Sequence, residues 1–342
     1  MKTTNVGQQP TPSDRGSADR ETVASSRGTG LVRVGASSWA NPTLLKHSNF
    51  YPPSVRTPAE RLRFYADRFP IVEVDSTYYR LPSEQMVAAW NQRTPADFIF
   101  NIKAFRAFTL HPTPPGALPA DVRDTLPQTA DLKTNLYWHR LPAGMRVDLW
   151  QGFRRALQPL AKAGKLGAIL FQLPPWIHPS DESRQHLREA RQALAEYRLA
   201  IEFRDASWVS SKNLDRTTEF LSQNELTFVC VDEPQVGRLL PPLALVTTPA
   251  LAVVRFHGRN AEAWQTRDTA TSERSRYLYV QRELAEWVPK IKQLATNTPE
   301  THVIFNNAYA DYALRNARQF MELLAREGLL VKRAGAETAE SC

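Results

Sequence analysis

The amino-acid sequence predicts a single α/β domain, a (β/α)₈ TIM barrel. Eight strand-like runs alternate with helical patterns between residues 31 and 332, which is typical of βα units around a parallel sheet. The runs are almost continuously apolar, as expected for barrel strands that are buried on both faces. An open doubly wound sheet is the alternative. It is disfavoured because neither a G-x-G-x-x-G loop nor a Walker A motif occurs in the chain.

The predicted strands are rich in β-branched and large apolar residues. They cover residues 31–37, 71–76, 97–104, 166–173, 199–204, 226–232, 251–258 and 301–307. Apolar spacing predicts seven helices, at residues 58–69, 83–92, 147–163, 180–197, 211–223, 277–295 and 309–328. Between the sixth and seventh strands, four prolines and one glycine in EPQVGRLLPPLALVTTP predict an irregular connection without a helix.

Three further segments complete the predicted domain organisation. Residues 1–30 are rich in Ser, Thr, Gly and charge and predict a disordered tail, and residues 333–342 predict a frayed end. Residues 107–165 form an insertion that is longer than a usual crossover. It is interpreted either as a lid over the barrel mouth or as a surface insertion packed on neighbouring helices, in which Trp150 and Phe153 belong to the core.

Composition indicates a cytoplasmic protein that does not interact with membranes. No apolar run approaches the roughly 18 residues of a membrane-spanning helix, and the N-terminal tail lacks the apolar region of a secretory signal. The only cysteines are Cys230 and Cys342, which indicates a reducing compartment. The net charge of +8 and the pI of about 9.6 favour anionic partners, but Lys and Arg are dispersed rather than clustered.

Polar and aromatic side chains occur at the ends of all eight predicted strands. In barrel enzymes the active site is built from these carboxyl ends. Taken singly, any such residue has a structural alternative, such as an ion pair or a turn cap, but eight polar ends favour a shared pocket. The candidate catalytic residues are Glu73, Asp75, Glu202 and His257; the candidate ligand-binding residues are Ser37, Trp39, Tyr78, Tyr79, Lys103, Gln172, Arg204, Trp208, Asp232, Arg255, Asn306 and Asn307.

Several of these strand ends lie in longer motifs. They read GASSWANPTLLKHSNFYPP, VEVDSTYYRLP, FNIKAF, LFQLPPW, IEFRDASW, VVRFHG and IFNNAYADYALRNA. Together they resemble the YecE-like proteins of the domain of unknown function 72 family, over about residues 32–325. The resemblance implies a TIM barrel but no particular chemistry. The sequence departs from the family pattern at Ala36 and Ser38, where Thr and Gly are usual, and in the 107–165 insertion.

The candidate residues favour acid–base chemistry on a small anionic or sugar-like molecule. Glu202 with Glu73 or Asp75 supplies a carboxylate pair of the kind that a hydrolase or isomerase uses. Cationic side chains favour an anionic ligand, and the aromatic residues stack on a sugar ring or base. A phosphorylated sugar or a nucleotide fits this combination.

Three alternatives stay open at this point. Glu202, Asp232 and His257 could hold one Mg²⁺ or Mn²⁺, although no cofactor is firmly predicted because few histidines lie at strand ends. The basic charge and the aromatic residues also fit a nucleic-acid-binding or processing protein with an endonuclease IV-like barrel. A non-catalytic metabolite-binding protein is the third interpretation, and the oligomeric state is not predicted.

Overall fold

The computed structural model describes residues 1–2, 29–126, 133–266 and 271–335. Most of the two predicted tails, at 1–30 and 333–342, lies outside the described residues. In the described part of the chain, no helix has both the length and the hydrophobicity needed to cross a membrane.

Eight parallel strands pair in sequence order and close into a barrel. They are β1 (Leu31–Ser37), β2 (Ile71–Val74), β3 (Ile99–Lys103), β4 (Leu166–Gln172), β5 (Leu199–Glu202), β6 (Leu226–Asp232), β7 (Ala252–Phe256) and β8 (Glu300–Phe305). The barrel closes where β8 pairs with β1, from Leu31 opposite Glu300 to Ala36 opposite Phe305. The predicted TIM-barrel fold is confirmed.

Helices cover the outside of the barrel. In the described residues they are α1 (Pro42–His47), α2 (Pro58–Ala66), α3 (Glu84–Gln92), α4 (Ala120–Arg123), α5 (Ala143–Lys162), α6 (Asp181–Ala193), α7 (Leu214–Gln223), α8 (Ala261–Gln265), α9 (Thr271–Arg274), α10 (Gln281–Ala285), α11 (Val288–Asn297) and α12 (Tyr312–Arg326). The segment predicted as one helix at 277–295 is two helices, and Pro289 lies in the first turn of the second, where its missing N–H costs little. Residues 233–251, which connect β6 to β7, contain no helix, as predicted.

The 107–165 insertion packs against the barrel. Phe153 of α5 is fully buried, and the ring of the partly buried Trp150 stacks on Phe108 with 3.8 Å between centroids. Trp138 is buried beside them, with its ring centroid 5.3 Å from that of Trp150. These contacts favour the interpretation of a packed surface insertion.

The interior of the barrel is polar at both ends, with a small apolar cluster between them. At the amino ends of the strands, Glu300 accepts hydrogen bonds from Arg33 and Arg198, each at 2.9 Å. Above this layer, Ile71, Ile99 and Ile304 form a small apolar cluster, distinct from the large core between strands and helices. The interior towards the carboxyl ends is therefore left for polar side chains, which build the candidate site.

The close approach of β1 to β2 depends on Gly35. A Cβ atom at Gly35 would lie 2.0 Å from the carbonyl oxygen of Ile71 on β2, so Gly35→Ala is expected to cost about 3 kcal/mol or more by forcing the strands apart. The matched control is Gly152→Ala inside α5, where a Cβ meets nothing within 4 Å. That change should stabilise the protein by about 0.5–1 kcal/mol through helix propensity. Urea unfolding measures both, and equal stability of the two variants would contradict the close approach at Gly35.

Candidate functional site

Strand alternation selects the side chains that reach the barrel interior. Successive strand residues point to opposite faces, so Arg255 of β7 and His257 just beyond it share one face. Arg255 contacts Glu73 of β2 and Glu202 of β5, strands that are not its neighbours in the barrel. Its side chain therefore lies across the interior.

One buried guanidinium joins two buried carboxylates. Nη1 of Arg255 donates to Oε2 of Glu202 at 2.5 Å, and Nη2 donates to Oε1 of Glu73 at 2.6 Å. None of the three side chains is more than 1% exposed. Burial opposes the charged form of Arg255, but the two carboxylates outweigh it and raise its pKa. The three residues form a fixed charged floor beneath the mouth.

Glu202 is held ionised by donors on both oxygens. Besides Arg255, its Oε1 accepts hydrogen bonds from Gln172 at 2.6 Å, from His257 at 2.9 Å and from Arg204 at 3.2 Å. Burial by itself would raise the pKa of this carboxyl, yet the surrounding cations and the histidine hydrogen bond hold it well below its usual range. Glu202 is thus an anchor for its neighbours.

A chain of hydrogen bonds fixes the tautomer of His257. The hydroxyl of Ser37 donates to Oδ1 of Asn306 at 2.5 Å, which leaves the Asn306 amide nitrogen to donate to Nδ1 of His257 at 3.0 Å. Nε2 then carries the proton that is donated to Glu202. Burial lowers the pKa of His257 to about 4 against the opposing effect of Glu202, so the imidazole is neutral near pH 7.

Lys103 lies at the end of β3 above this floor. Among the described residues its Nζ makes no hydrogen bond or ion pair, and it lies 4.7 Å from the centre of the Tyr78 ring, a cation–π contact. Burial and the nearby Arg255 lower the pKa of Lys103 to about 8, although Glu73, Glu202 and Asp75 act in the opposite direction. The Lys103 side chain is partly exposed.

Asp75 is the accessible carboxyl next to this amine. It directly follows β2, in the turn just beyond the last paired residues Val74 and Ile102, and Lys103 is close enough to act on its pKa. Burial raises the pKa of Asp75 more than Lys103 lowers it, and burial likewise raises the pKa of Glu73. The pKa values of the carboxyl groups are therefore shifted in opposite directions, downwards for Glu202 and upwards for Asp75 and Glu73.

Aromatic rings form a rim on one side of the mouth. Edge-to-face contacts connect Tyr79 to Tyr78 at 5.0 Å, Tyr78 to His111 at 5.2 Å and His111 to Trp176 at 5.9 Å between centroids. Tyr79 is 60% exposed and Trp176 is 55% exposed. Beyond Trp176 the surface continues into a groove of about 700 Å³ that the insertion also lines, through Tyr137 and Trp138.

Comparison with known proteins assigns the family. Residues 33–340 match the family described as protein of unknown function DUF72. The chain belongs to the DUF72 family. It is 29% identical to the UPF0759 protein YunF of Bacillus subtilis (strain 168) over 298 residues, which cover 86% of this chain and 95% of YunF.

Two solved DUF72 structures share the architecture. A DUF72 family protein from Enterococcus faecalis V583 is 25% identical, with a TM-score of 0.72 over 90% of this chain and 100% of the other. A DUF72 family protein from Thermotoga maritima MSB8 is 29% identical, with a TM-score of 0.67 over 86% of this chain and 99% of the other. These likenesses agree with the resemblance seen in the sequence motifs.

In this DUF72 chain, the structure brings most predicted site residues together. The inward floor and its surroundings contain Ser37, Glu73, Asp75, Lys103, Gln172, Glu202, Arg204, Arg255, His257 and Asn306. Tyr78 and Tyr79 lie on the rim. Trp39 is partly exposed, with its ring 5.8 Å from that of Trp90, and its buried indole nitrogen has no hydrogen-bond partner in the described chain.

Asp232 lies outside this group, contrary to the prediction. It is on the outward face of β6, where its carboxylate accepts hydrogen bonds from Arg259 at 2.7 and 2.9 Å, from Tyr279 at 2.6 Å and from Trp287 at 2.6 Å. These donors occupy both oxygens. Asp232 therefore anchors the residues around α10 and α11 to the barrel and is not available to a ligand in the mouth.

The predicted metal set is not assembled either. Glu202 and His257 are adjacent, but Asp232 points to the other face of the sheet. Among the described residues, no three His, Cys, Asp or Glu side chains form a group that could hold a metal ion. The sequence allowed Glu202, Asp232 and His257 to form one Mg²⁺ or Mn²⁺ site. In the structure these residues belong to two separate hydrogen-bond networks.

Trp208 and Asn307 are also buried away from the mouth. The indole nitrogen of Trp208 donates to the carbonyl oxygen of Ile177 at 2.8 Å, and its ring, which is 0% exposed, stacks on Phe203 at 4.1 Å. Asn307 follows Asn306 and so points outward, where it donates to the carbonyl oxygen of Tyr277. The structure therefore places both side chains away from the mouth, where the sequence predicted contacts with a ligand.

The sequence interpretation missed residues that the structure adds. Glu233 is buried and pairs with Arg204 at 2.8 Å, and burial raises its pKa against the effect of Arg204. The guanidinium of Arg204 also lies 4.7 Å from the centre of the Trp264 ring. Alternation along β6 is the signal that separates the outward Asp232 from the inward Glu233. The rim residues His111 and Trp176 follow the third and fourth strands. This position after a strand is the only feature of the sequence that points to them.

The departure at Ser38 has a structural consequence. Ser38 follows β1 with a φ of 62°, in the left-handed region that a glycine adopts without strain. Its backbone N–H donates to the carbonyl oxygen of Glu73 at 2.8 Å. The turn after β1 thus keeps a conformation that favours glycine, although the side chain differs.

Removing the buried guanidinium is expected to be costly. Arg255→Met removes the cation that Glu73 and Glu202 share and should lower the free energy of unfolding by about 3–5 kcal/mol. The control is Arg154→Met, which breaks the surface pair with Glu196 and should cost less than about 1 kcal/mol. Urea unfolding of both variants tests this, and a loss at Arg255 no larger than at Arg154 would contradict the role of the floor.

Acid should destabilise the protein partly through its histidines. The pKa values of His111, His186, His257 and His302 are lowered, chiefly by burial. The unfolded chain therefore binds more protons below about pH 6.5, and stability is lost as the pH falls from there towards 4. His257→Gln should flatten the slope between pH 6.5 and 5 by up to about 1.4 kcal/mol per pH unit. The exposed His139→Gln is the control, and an unchanged slope in His257→Gln would contradict a neutral His257.

Proposed function

We propose that this DUF72 protein is an enzyme that acts on a small anionic or sugar-like molecule at the carboxyl-end mouth of the barrel, by acid–base chemistry. The observation that supports this most is the pair of Asp75 and Lys103. Both are partly exposed, and both have pKa values moved towards neutrality, above the floor formed by Glu73, Arg255 and Glu202. Titratable groups with displaced pKa values cluster at functional sites because catalysis needs them.

Glu73, Glu202 and Asp75 have different roles in the proposed chemistry. Arg255 lies between Glu73 and Glu202, so these two cannot flank a reacting carbon as an acid–base pair. Glu202 stays ionised and fixes the positions of Arg255 and His257. Asp75 is therefore the carboxyl that exchanges protons with the substrate, which is the role expected of an acid whose pKa is raised.

Substrate charge and shape follow from the accessible groups. Arg255 pairs with Glu73 and Glu202, and Arg204 pairs with Glu202 and Glu233. This leaves Lys103, whose Nζ makes no ion pair among the described residues, as the cation that attracts an anion. The rings of Tyr78, Tyr79 and Trp176 offer faces on which a sugar ring or base stacks. A phosphorylated sugar or a nucleotide satisfies both features.

The test is a ligand screen by thermal shift, followed by calorimetry. Glucose 6-phosphate, glucitol 6-phosphate, glycerol 3-phosphate and nucleoside monophosphates are the probes. A ligand at 100 times its Kd should stabilise the native protein by about 2.7 kcal/mol. Lys103→Met should weaken binding about tenfold or more through loss of the charged contact, whereas the exposed Lys212→Met should not. Glu202→Gln should abolish turnover of any substrate that is found.

Other outcomes would count against this function. Equal binding by Lys103→Met and Lys212→Met would place the ligand elsewhere. Protection by oligonucleotides alone, with a steep loss of affinity as salt rises, would favour the nucleic-acid interpretation instead. Tight ligand binding without turnover of any screened compound would favour a metabolite-binding protein.

A further inference from the structure

We propose that Lys103 is a nucleophile that forms an imine with the carbonyl carbon of an aldehyde or ketone substrate. The inference rests on the proposed function and deepens it, because it narrows the ligand to a carbonyl compound, such as the open-chain form of a sugar. It is carried by the geometry of the amine in the barrel mouth.

The amine lacks the partners that a structural lysine has. Lys165, which is buried at the other end of the same sheet, donates from Nζ to the carbonyl oxygens of Asn91 and Thr94, each at 2.8 Å, and approaches Oγ1 of Thr94 at 3.2 Å. In the described chain, Nζ of Lys103 has only the face of Tyr78 beside it. A partly buried ammonium without an acceptor is costly, so the position is not explained by stability.

The surroundings of Lys103 raise the fraction of neutral amine. Burial and the like charge of Arg255 from β7 act against the ammonium form, more strongly than Glu73 and Asp75 from β2 and Glu202 from β5 support it. Tyr78, Arg106 and His111 complete the titratable and charged groups around the amine. With a pKa of about 8, roughly one amine in ten is neutral at pH 7, against fewer than one in a thousand for an exposed lysine. Desolvation next to another cation is a known way to activate a lysine for Schiff-base chemistry.

A proton donor stands where imine formation needs one. Asp75 lies in the turn just after β2, and Lys103 ends the neighbouring β3; the two groups are close enough for each to act on the pKa of the other. The amine lone pair attacks the carbonyl carbon, and the carbonyl oxygen takes a proton from the Asp75 carboxyl. The nitrogen then returns a proton to Asp75. In the second stage Asp75 protonates the new hydroxyl, which leaves as water while the nitrogen lone pair forms the C=N bond. The iminium nitrogen then returns its proton to the Asp75 carboxylate. Amine and carbonyl thus give imine and water, without an oxidant or reductant.

Reductive trapping tests the inference. The wild-type protein is incubated at pH 7 with glycolaldehyde or glyceraldehyde 3-phosphate and sodium cyanoborohydride, and modified lysines are quantified by peptide mass spectrometry. Lys103 should be modified at least tenfold faster than the exposed Lys212, and Lys165 should stay unmodified. The rate at Lys103 should rise with pH around 8. A rate at Lys103 no faster than at Lys212 would overturn the proposal.

Variants separate the imine from simple binding. Lys103→Arg should abolish the fast modification, and Lys212→Arg should not. Asp75→Asn should slow trapping at Lys103 at least tenfold while glucitol 6-phosphate, which has no carbonyl group, still binds; an unchanged trapping rate would remove Asp75 from the step. If glucitol 6-phosphate binds at the mouth but no probe is trapped at Lys103, the proposed function stands and the imine is wrong. If glycolaldehyde is trapped at Lys103 but no anionic ligand binds, the imine stands and the anionic substrate is wrong.

Discussion

The pairing of Arg255 with Glu73 and Glu202 is the interaction on which the interior of this barrel depends. It joins three strands that lie far apart in the sequence and in the barrel, and it places two negative charges and one positive charge where water is excluded. Such a group is stable only when it is complete. The hydrogen bonds from Gln172, Arg204 and His257 to Glu202 complete it.

The compensated floor explains the unusual state of the residues above it. The ionised Glu202 helps to hold Arg255 as a cation, whereas burial keeps His257 a neutral hydrogen-bond donor against the opposing effect of Glu202. Burial, and next the Arg255 cation, disfavour the charged form of Lys103, which has no acceptor of its own among the described residues. The charges that stabilise the interior thus also act on the ionisable groups at the mouth.

The shape of the mouth comes from the segments that follow the strands. The turn after β2 supplies Asp75 and the first tyrosines of the rim, and the segments after β3 and β4 extend the rim to Trp176. The insertion is packed on the barrel through Phe108, Trp150 and Phe153, so it adds a groove beside the mouth. The aromatic surface of the mouth therefore comes from the segments after several strands, together with the insertion.

The sequence by itself determined the number of strands, their order and the polar character of their ends, because apolar periodicity and turn residues are local properties. It predicted the floor residues Glu73, Glu202 and Arg255, but it treated Asp232 and Asn307 as their equals. Only the tertiary structure decided that these two face the helices, since a shift of one residue along a strand reverses the face. It also decided that Arg255 meets Glu73, 182 residues away, because that contact depends on how eight strands close into a barrel.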